Sequence, residues 1–272
     1  MLANAKARRL NEIRKVGTSK RLPVLTYHSL DDSGSAISTL PAQFQSQMQY
    51  LCENGWRTLT LDELLAGHAR GEWQARTFAL TFDDGFKNFL ERGLPTLTQC
   101  KFSAMLFVVS NWVGKTSDWL GQPRWVPRFE LLDWQDLREL AKLGMVLGSH
   151  SANHARLARM APQDAETAIV DCKHAIEDHT GHSVETFAYP YGETSRQLEN
   201  IVAQNFRVGF GTRLGFVTGN DRATNFSRIE MYYFREARRL HELESGGLER
   251  EFRVRRLLRE LSRRWNLHEG HE

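Results

Sequence analysis

The chain has 272 residues, 41% of them hydrophobic and 25% charged, with a formal net charge of +3. This composition excludes a wholly disordered chain, and the mild charge argues against a nucleic-acid partner. The longest uncharged apolar run, residues 102–114, is shorter than the ~20 residues that a membrane helix needs, so no transmembrane span is expected. The N-terminal segment lacks the apolar core of a secretory signal, which predicts a cytoplasmic location.

Apolar runs alternate with helix-like segments along the chain. The strand candidates are residues 22–27, 56–60, 77–82, 102–109, 145–148, 186–189, 206–211 and 226–234. The helix candidates are 41–54, 61–69, 87–100, a segment beginning at 133, 162–180 and 195–205. Thr60 and Glu63 have the spacing of a capping box, and Gly93 and Pro95 are expected to kink or split their helix. Repeated strand–helix units predict a parallel sheet, either open or closed into a barrel.

Polar residues of catalytic type follow four of the strand candidates. They are His28, the pair Asp83 and Asp84, His150, and Tyr191. In a (β/α) barrel the carboxyl ends of the strands converge on one face, where active sites lie. This pattern favours the barrel over the open sheet.

Two of these positions have the composition of a metal site. Asp83 and Asp84 end a buried strand, so their side chains point in different directions, and one can bind a metal while the other acts as a base. His150 and His154 are four residues apart and can meet on one side of a helix or tight loop. Two histidines and one carboxylate leave a position for water at a catalytic metal. We therefore predict a divalent cation, zinc or another transition metal.

Three segments resemble motifs of the polysaccharide deacetylase family, carbohydrate esterase family 4. They are residues 81–85 (TFDDG), 149–154 (SHSANH) and 187–192 (FAYPYG), and they occur in the family's order. The resemblance implies an irregular (β/α) barrel of about seven parallel strands over residues 22–234. It also implies metal-dependent removal of N-acetyl or O-acetyl groups, mostly from N-acetylglucosamine polymers.

The resemblance also implies a role for each matching residue. Asp83 matches the general base. Asp84, His150 and His154 match the metal ligands. Tyr191 matches the residue whose backbone N–H helps to form the oxyanion hole.

The chain departs from the usual family pattern in two places. No Leu-x-His motif, the usual source of the general acid, is found near the C-terminus. The segment 22–28 (LPVLTYH) instead resembles the circularly permuted branch that includes poly-N-acetylglucosamine deacetylases, so His28 is predicted as the general acid. The arginine that usually opens the third motif is also missing, and Arg228, on a late strand candidate, is predicted to replace it beside Asp83.

The sequence leaves the exact reaction open. The alternatives to a glycan deacetylase are a hydrolase of a small non-sugar amide on the same barrel and an inactive glycan-binding or assembly protein. The tryptophans of the long 110–132 connection could stack on sugar rings or anchor the loop. They are Trp112, Trp119 and Trp125.

The segment 235–272 is predicted to be a basic helical extension of the barrel. Its apolar residues have helical spacing and form one stripe, so we expect the helix to pack on the barrel. The alternative is a peripheral contact with a protein partner or an anionic membrane. The stripe consists of Val254, Leu257, Leu258, Leu261 and Trp265.

The three cysteines, Cys52, Cys100 and Cys172, lie in helix-like segments and have no metal-ligand spacing. We expect reduced, packed thiols, because an odd number of widely separated cysteines does not suggest a disulfide framework. This expectation agrees with a reducing compartment.

Overall fold

The computed structural model describes residues 17–234, 236–245 and 247–268. Its centre is a closed barrel of seven parallel strands in the order β1-β7-β6-β5-β4-β3-β2, and β2 pairs back with β1 to complete the ring. The predicted (β/α) barrel is therefore confirmed. The strands are β1 Val24–Tyr27, β2 Thr77–Phe82, β3 Met105–Val108, β4 Val146–Ser149, β5 Thr186–Ala188, β6 Val208–Leu214 and β7 Phe226–Glu230.

Helices connect the strands and continue the chain beyond the barrel. They are α1 Pro41–Glu53, α2 Leu61–Arg70, α3 Phe89–Arg92, α4 Leu94–Cys100, α5 Trp134–Lys142, α6 Pro162–Thr180, α7 Arg196–Asn205, α8 Glu242–Ser245 and α9 Leu248–His268. Short 3-10 turns cover Ser110–Trp112, Leu157–Arg159, Pro190–Gly192, Met231–Tyr233 and Ala237–His241. Two-residue strands lie outside the barrel ring at Thr18–Ser19, Ser29–Leu30, Ser38–Thr39, Arg57–Thr58 and Trp73–Gln74.

Local sequence signals set the helix boundaries. The Thr60 side chain accepts a hydrogen bond from the Glu63 backbone and Glu63 returns one to the backbone of Thr60, so the predicted capping box begins α2. Asp133 caps α5 in the same way. The predicted split at Gly93 is also present, since α3 ends before it and α4 begins after it.

Strand alternation divides the buried side chains into two layers and aims polar residues at one end of the barrel. Val24 packs in a cluster inside the ring, whereas its neighbour Leu25 joins the layer between strands and helices. Thr26 follows the inward direction of Val24, and its hydroxyl contacts that of Thr81 on β2 at 3.0 Å. Side chains alternate in direction along an extended chain, so the side chain of His28, two residues after Thr26, also points inward.

The cysteine prediction is confirmed in part. Cys100 and Cys172 are buried free thiols, but Cys52 is exposed, so the expectation of packing is wrong for that residue. Cys52 lies near the end of α1 and is not among the residues that this helix buries, which are Phe44, Gln47, Met48 and Leu51.

The C-terminal extension packs on the barrel through residues other than the predicted stripe. Leu240, Leu243, Leu248 and Phe252 are buried and belong to the main core. The predicted stripe is exposed where its side chains are described: Val254 at 52%, Leu257 at 54% and Leu258 at 59%. The side chains of Leu261 and Trp265 lie outside the described residues. Among the described residues, no helix is both long and apolar enough to cross a membrane.

Candidate active site

One open cavity of about 340 Å³ lies at the carboxyl ends of the barrel strands. Because all seven strands run parallel, side chains that are far apart in sequence meet at this end. Every residue predicted for the site lines this cavity. They are His28, Asp83, Asp84, His150, His154, Tyr191 and Arg228.

Asp84, His150 and His154, here called the ligand triad, lie close together and are buried. The Oδ1 atom of Asp84 is 3.1 Å from Nε2 of His154 and 3.4 Å from Nε2 of His150. One ligand atom from each residue lies within 4.8 Å of the other two. Ligands bound ~2.0–2.2 Å from one cation have this kind of mutual spacing.

The protonation of the triad also suits a metal ion. His150 Nδ1 lies 2.8 Å from the Ala188 carbonyl oxygen, which only accepts hydrogen bonds, so Nδ1 is the donor and Nε2 is the ring nitrogen that faces Asp84. Oδ1 of Asp84 is buried without a hydrogen-bond partner among the described residues. Burial lowers the pKa of His154, and although burial alone would raise that of Asp84, the two imidazoles hold it well below its usual range. The triad therefore offers a carboxylate oxygen and two imidazole nitrogens, a donor set that fits zinc and several other transition metals.

The backbone at the triad adopts conformations that side chains usually avoid. Asp84, Ser151, His154 and Tyr191 have φ values of 73°, 64°, 52° and 59°. A left-handed conformation costs a non-glycine residue roughly 1–2 kcal/mol. Four such residues around one cavity mean that the surrounding packing imposes the geometry, a feature common at functional sites.

Asp83 is fixed by an arginine from the other end of the chain. Arg228 on β7 donates from Nη1 to Oδ1 of Asp83 at 2.6 Å and from Nη2 to Oδ2 at 2.8 Å. Its Nε also donates to the Gly211 carbonyl at 2.8 Å. Burial alone would raise the pKa of Asp83, but the guanidinium and the nearby imidazoles lower it, so the carboxylate stays ionised. The predicted proximity of Arg228 to Asp83 is present in the fold.

His28 lines the same cavity as the triad and lies between two carboxylates. Its Nε2 is 3.8 Å from Oδ2 of Asp83, and its Nδ1 is 3.9 Å from Oε1 of Glu230. Burial by itself would lower the pKa of His28, but Glu230 and Asp83 outweigh that effect and raise it. This environment favours the protonated ring, the form that an acid needs.

Glu230 is the site residue that our sequence reasoning missed. It lines the cavity two positions after Arg228 on the same strand. Strand alternation puts both side chains on the inner face, so the predicted position of Arg228 beside Asp83 carried the signal for Glu230.

Aromatic rings cover the outer side of the triad. The Trp119 indole stacks on the His154 ring with centroids 4.5 Å apart, and Tyr191 meets the same ring edge-on at 4.6 Å. Trp112 packs edge-on against Trp119 at 6.1 Å. Trp125, by contrast, is 70% exposed. Two of the three tryptophans therefore anchor the loop, and the third presents its ring at the surface.

Comparison with known proteins agrees with this geometry. The sequence profile described as polysaccharide deacetylase matches residues 70–206, just over half of the chain. The chain belongs to the polysaccharide deacetylase family. The matched segment contains Asp83 and the whole ligand triad, whereas His28, Arg228 and Glu230 lie outside it.

Individual members of the polysaccharide deacetylase family are distant in sequence. The Bacillus subtilis protein YxkH is 24% identical over 197 residues, which cover 72% of this chain and 66% of YxkH. The Escherichia coli K12 poly-beta-1,6-N-acetyl-D-glucosamine N-deacetylase is 28% identical over 138 residues, covering 47% of this chain. The chain thus matches less than two thirds of either relative, and only 20% of the E. coli protein.

A solved structure supports the fold of this family member. The Streptococcus pyogenes deacetylase PplD aligns with a TM-score of 0.68 at 22% identity, covering 77% of this chain and 92% of PplD. At this identity the comparison establishes a shared architecture, and the chemistry has to be argued from the side chains.

Proposed function

We propose that the chain is a metal-dependent deacetylase that hydrolyses the N-acetyl groups of a glycan containing N-acetylglucosamine. The observation that carries the proposal is the arrangement around Asp83. This carboxylate is held by Arg228, lies beside the ligand triad, and is 3.8 Å from the candidate acid His28. Base, metal ligands and acid thus share one cavity, as amide hydrolysis requires.

The proposed chemistry assigns one task to each charged group. A divalent ion bound by the ligand triad, zinc in our proposal, would polarise the acetyl carbonyl and lower the pKa of water. Asp83 accepts a proton from the attacking water as its oxygen bonds to the carbonyl carbon. His28 then donates a proton to the sugar nitrogen as the C–N bond breaks, which releases acetate and an amine.

Neighbouring groups hold the acid and the substrate oxygen in place. Glu230 faces Nδ1 of His28 and favours its charged form, which leaves Nε2 directed toward Asp83. The left-handed turn at Tyr191 lies on the rim of the same cavity, and we propose that its backbone N–H binds the developing oxyanion. Arg228 keeps Asp83 ionised and limits its rotation through two parallel hydrogen bonds.

Two features favour a polymer over a small amide. The cavity is open, and the loop beside it carries an exposed Trp125 and a Leu120 that is 97% exposed. Aromatic and aliphatic faces of this kind suit the apolar face of a sugar ring. The E. coli relative is named for its action on poly-β-1,6-N-acetyl-D-glucosamine, and we propose the same substrate class here.

The test is acetate release from β-1,6-linked N-acetylglucosamine oligomers by metal-reconstituted protein, with free N-acetylglucosamine and acetamide as comparison substrates. We expect turnover of the oligomers, little on the monosaccharide, and loss of turnover in Asp83→Asn. Preferential hydrolysis of acetamide would support the small-amide alternative. Glycan binding without acetate release, at full metal content, would support an inactive binding protein.

A further inference from the structure

The C-terminal helix α9 has two apolar faces, and only one of them is used by the fold. Leu248 and Phe252, one helical turn apart, are buried against the barrel, where the Phe252 ring lies 5.7 Å from that of Phe216. Val254 follows Phe252 by two residues, which places it on the opposite side of a helix. Leu257 and Leu258 share the side of Val254, and all three are more than half exposed.

The exposed face is bordered by positive charge. Arg250 lies one turn before Val254, and Arg253 lies one turn before Leu257. Both arginines are exposed, and neither forms an ion pair with any residue that the structure describes. The acidic residues of this part of the helix are already engaged. Glu249 pairs with Arg21 at 2.9 Å, and Glu251 pairs with Arg239 and Arg255.

The helix as a whole is strongly basic. Residues 248–268 contain seven arginines, three glutamates and no lysine or aspartate, and the apolar spacing continues in the sequence at Leu261 and Trp265. A second copy of the same helix would bring like charges together, which opposes self-association through this face. An apolar stripe bordered by arginines instead complements a surface that is negatively charged outside and apolar beneath.

We propose that the exposed face of α9, comprising Val254, Leu257, Leu258, Arg250 and Arg253, binds an anionic phospholipid membrane. The apolar side chains enter the boundary between headgroups and acyl chains while the arginines contact lipid phosphates. The barrel stays outside the bilayer, because Leu248 and Phe252 hold the opposite face of the helix against it.

The experiment is co-sedimentation of the full chain with vesicles of phosphatidylcholine alone and of equal parts phosphatidylcholine and phosphatidylglycerol. We expect binding to the anionic vesicles only, weakened as salt rises. Leu257→Ser/Leu258→Ser and, separately, Arg250→Glu/Arg253→Glu should each weaken binding by at least about tenfold. All variants should keep the parent acetate-release rate on a water-soluble oligomer, because none of these residues lies at the cavity.

Two matched controls test whether the effect is local. Leu143→Ser removes another exposed leucine, and Arg70→Glu/Arg196→Glu makes the same charge change at exposed positions on other helices. Both controls should bind like the parent. The proposal is overturned by absence of binding, by equal binding to neutral vesicles, or by equal weakening in the controls. It is also overturned if light scattering shows a dimer that Leu257→Ser/Leu258→Ser dissociates while vesicle binding is absent.

Discussion

The two sides of the cavity are built in different ways. The ligand triad forms the metal side, and all three residues lie within one matched segment of the chain, in tight turns that include left-handed residues. His28, which we propose as the acid, forms the acid side with Arg228 and Glu230. These residues come from the first and last strands of the barrel, or directly after one of them. The metal side thus joins the turns that follow β2 and β4, with β3 between them, whereas the acid side depends on the closure of β1 against β2 and β7.

In our proposal, this difference explains how the site can work with a permuted strand order. In a closed ring, the strand that carries the acid needs only to lie between the correct neighbours, and it can occur at either end of the chain. Metal ligands on the short turns have no such freedom, because a change of one residue would redirect the side chain. Variants of the two sides should therefore fail in different ways.

The largest effect is expected on the metal side. His154→Ala removes one nitrogen of the triad, so the affinity of the protein for a divalent metal should fall at least about 100-fold. Acetate release should fall by at least about 10³-fold, because carbonyl polarisation is lost with the metal. Elemental analysis and the acetate assay give the two values. His174→Ala, on an exposed position of α6, is the control, and a His154→Ala protein that kept its metal would remove this residue from the site.

Asp83 lies between the metal side and the acid side. Its substitution should distinguish the role of a general base from the role of a metal ligand. Asp83→Asn should retain metal while the rate falls by roughly 10²–10⁴, the usual contribution of a general base. Its matched partner Asp84→Asn should lose the metal as well. The Tm of Asp83→Asn should also drop, because buried Arg228 then loses its counter-charge, so rates are compared per folded molecule. Equal metal loss in both variants would show that the two roles are wrongly assigned.

Glu230 should act on the acid side alone, through the pKa of His28. The charged groups that act on His28 are Glu230, Asp83, Asp84 and Arg228, of which the three carboxylates raise its pKa and Arg228 lowers it. Removing one carboxylate in Glu230→Gln lowers that pKa, so the protonated acid is lost at lower pH. The alkaline limb of the kcat/KM profile should move to lower pH with metal content unchanged. An unmoved limb would mean that Glu230 does not face the titrating acid.

The smallest effect is expected outside both sides, at the exposed ring on the loop. Trp125→Ala should raise KM for N-acetylglucosamine oligomers by about 2- to 10-fold, the contribution of one aromatic contact, and leave kcat nearly unchanged. Steady-state kinetics on oligomers of increasing length provide the measurement. A loss of kcat with unchanged KM would contradict a role in holding the sugar chain.

The clustering of Asp84, His150 and His154 could be predicted because the sequence signals behind it are short. Asp83 and Asp84 end a uniformly apolar strand, and His150 and His154 follow another, so local patterns marked the candidate residues and the predicted barrel brought them together. The capping box at Thr60 and the helix break at Gly93 were predictable for the same reason. Each depends on contacts within a few residues.

Features that depend on tertiary packing were harder to predict. Glu230 was missed although it follows Arg228 by one strand period, because a single partly buried glutamate carries no motif. Contact of Trp119 with His154 depends on how a long loop folds back. The stripe on α9 was expected to pack on the barrel, but its described side chains are exposed. Helical spacing shows that apolar residues share a face, but it does not show which face of the helix contacts the barrel.

The most direct test of the account is whether His28 supplies the proton that the leaving nitrogen needs. His28→Ala should keep its metal and its fold, while the rate on N-acetylglucosamine oligomers falls by roughly 10²–10⁴. The same variant should hydrolyse an activated ester such as 4-nitrophenyl acetate at nearly the parent rate, because that leaving group needs no proton. Parallel assays of both substrates on one metal-loaded preparation decide the matter. An unaffected amide rate, or an equal loss on both substrates, would contradict the claim that the first strand of the barrel brings the general acid to this site.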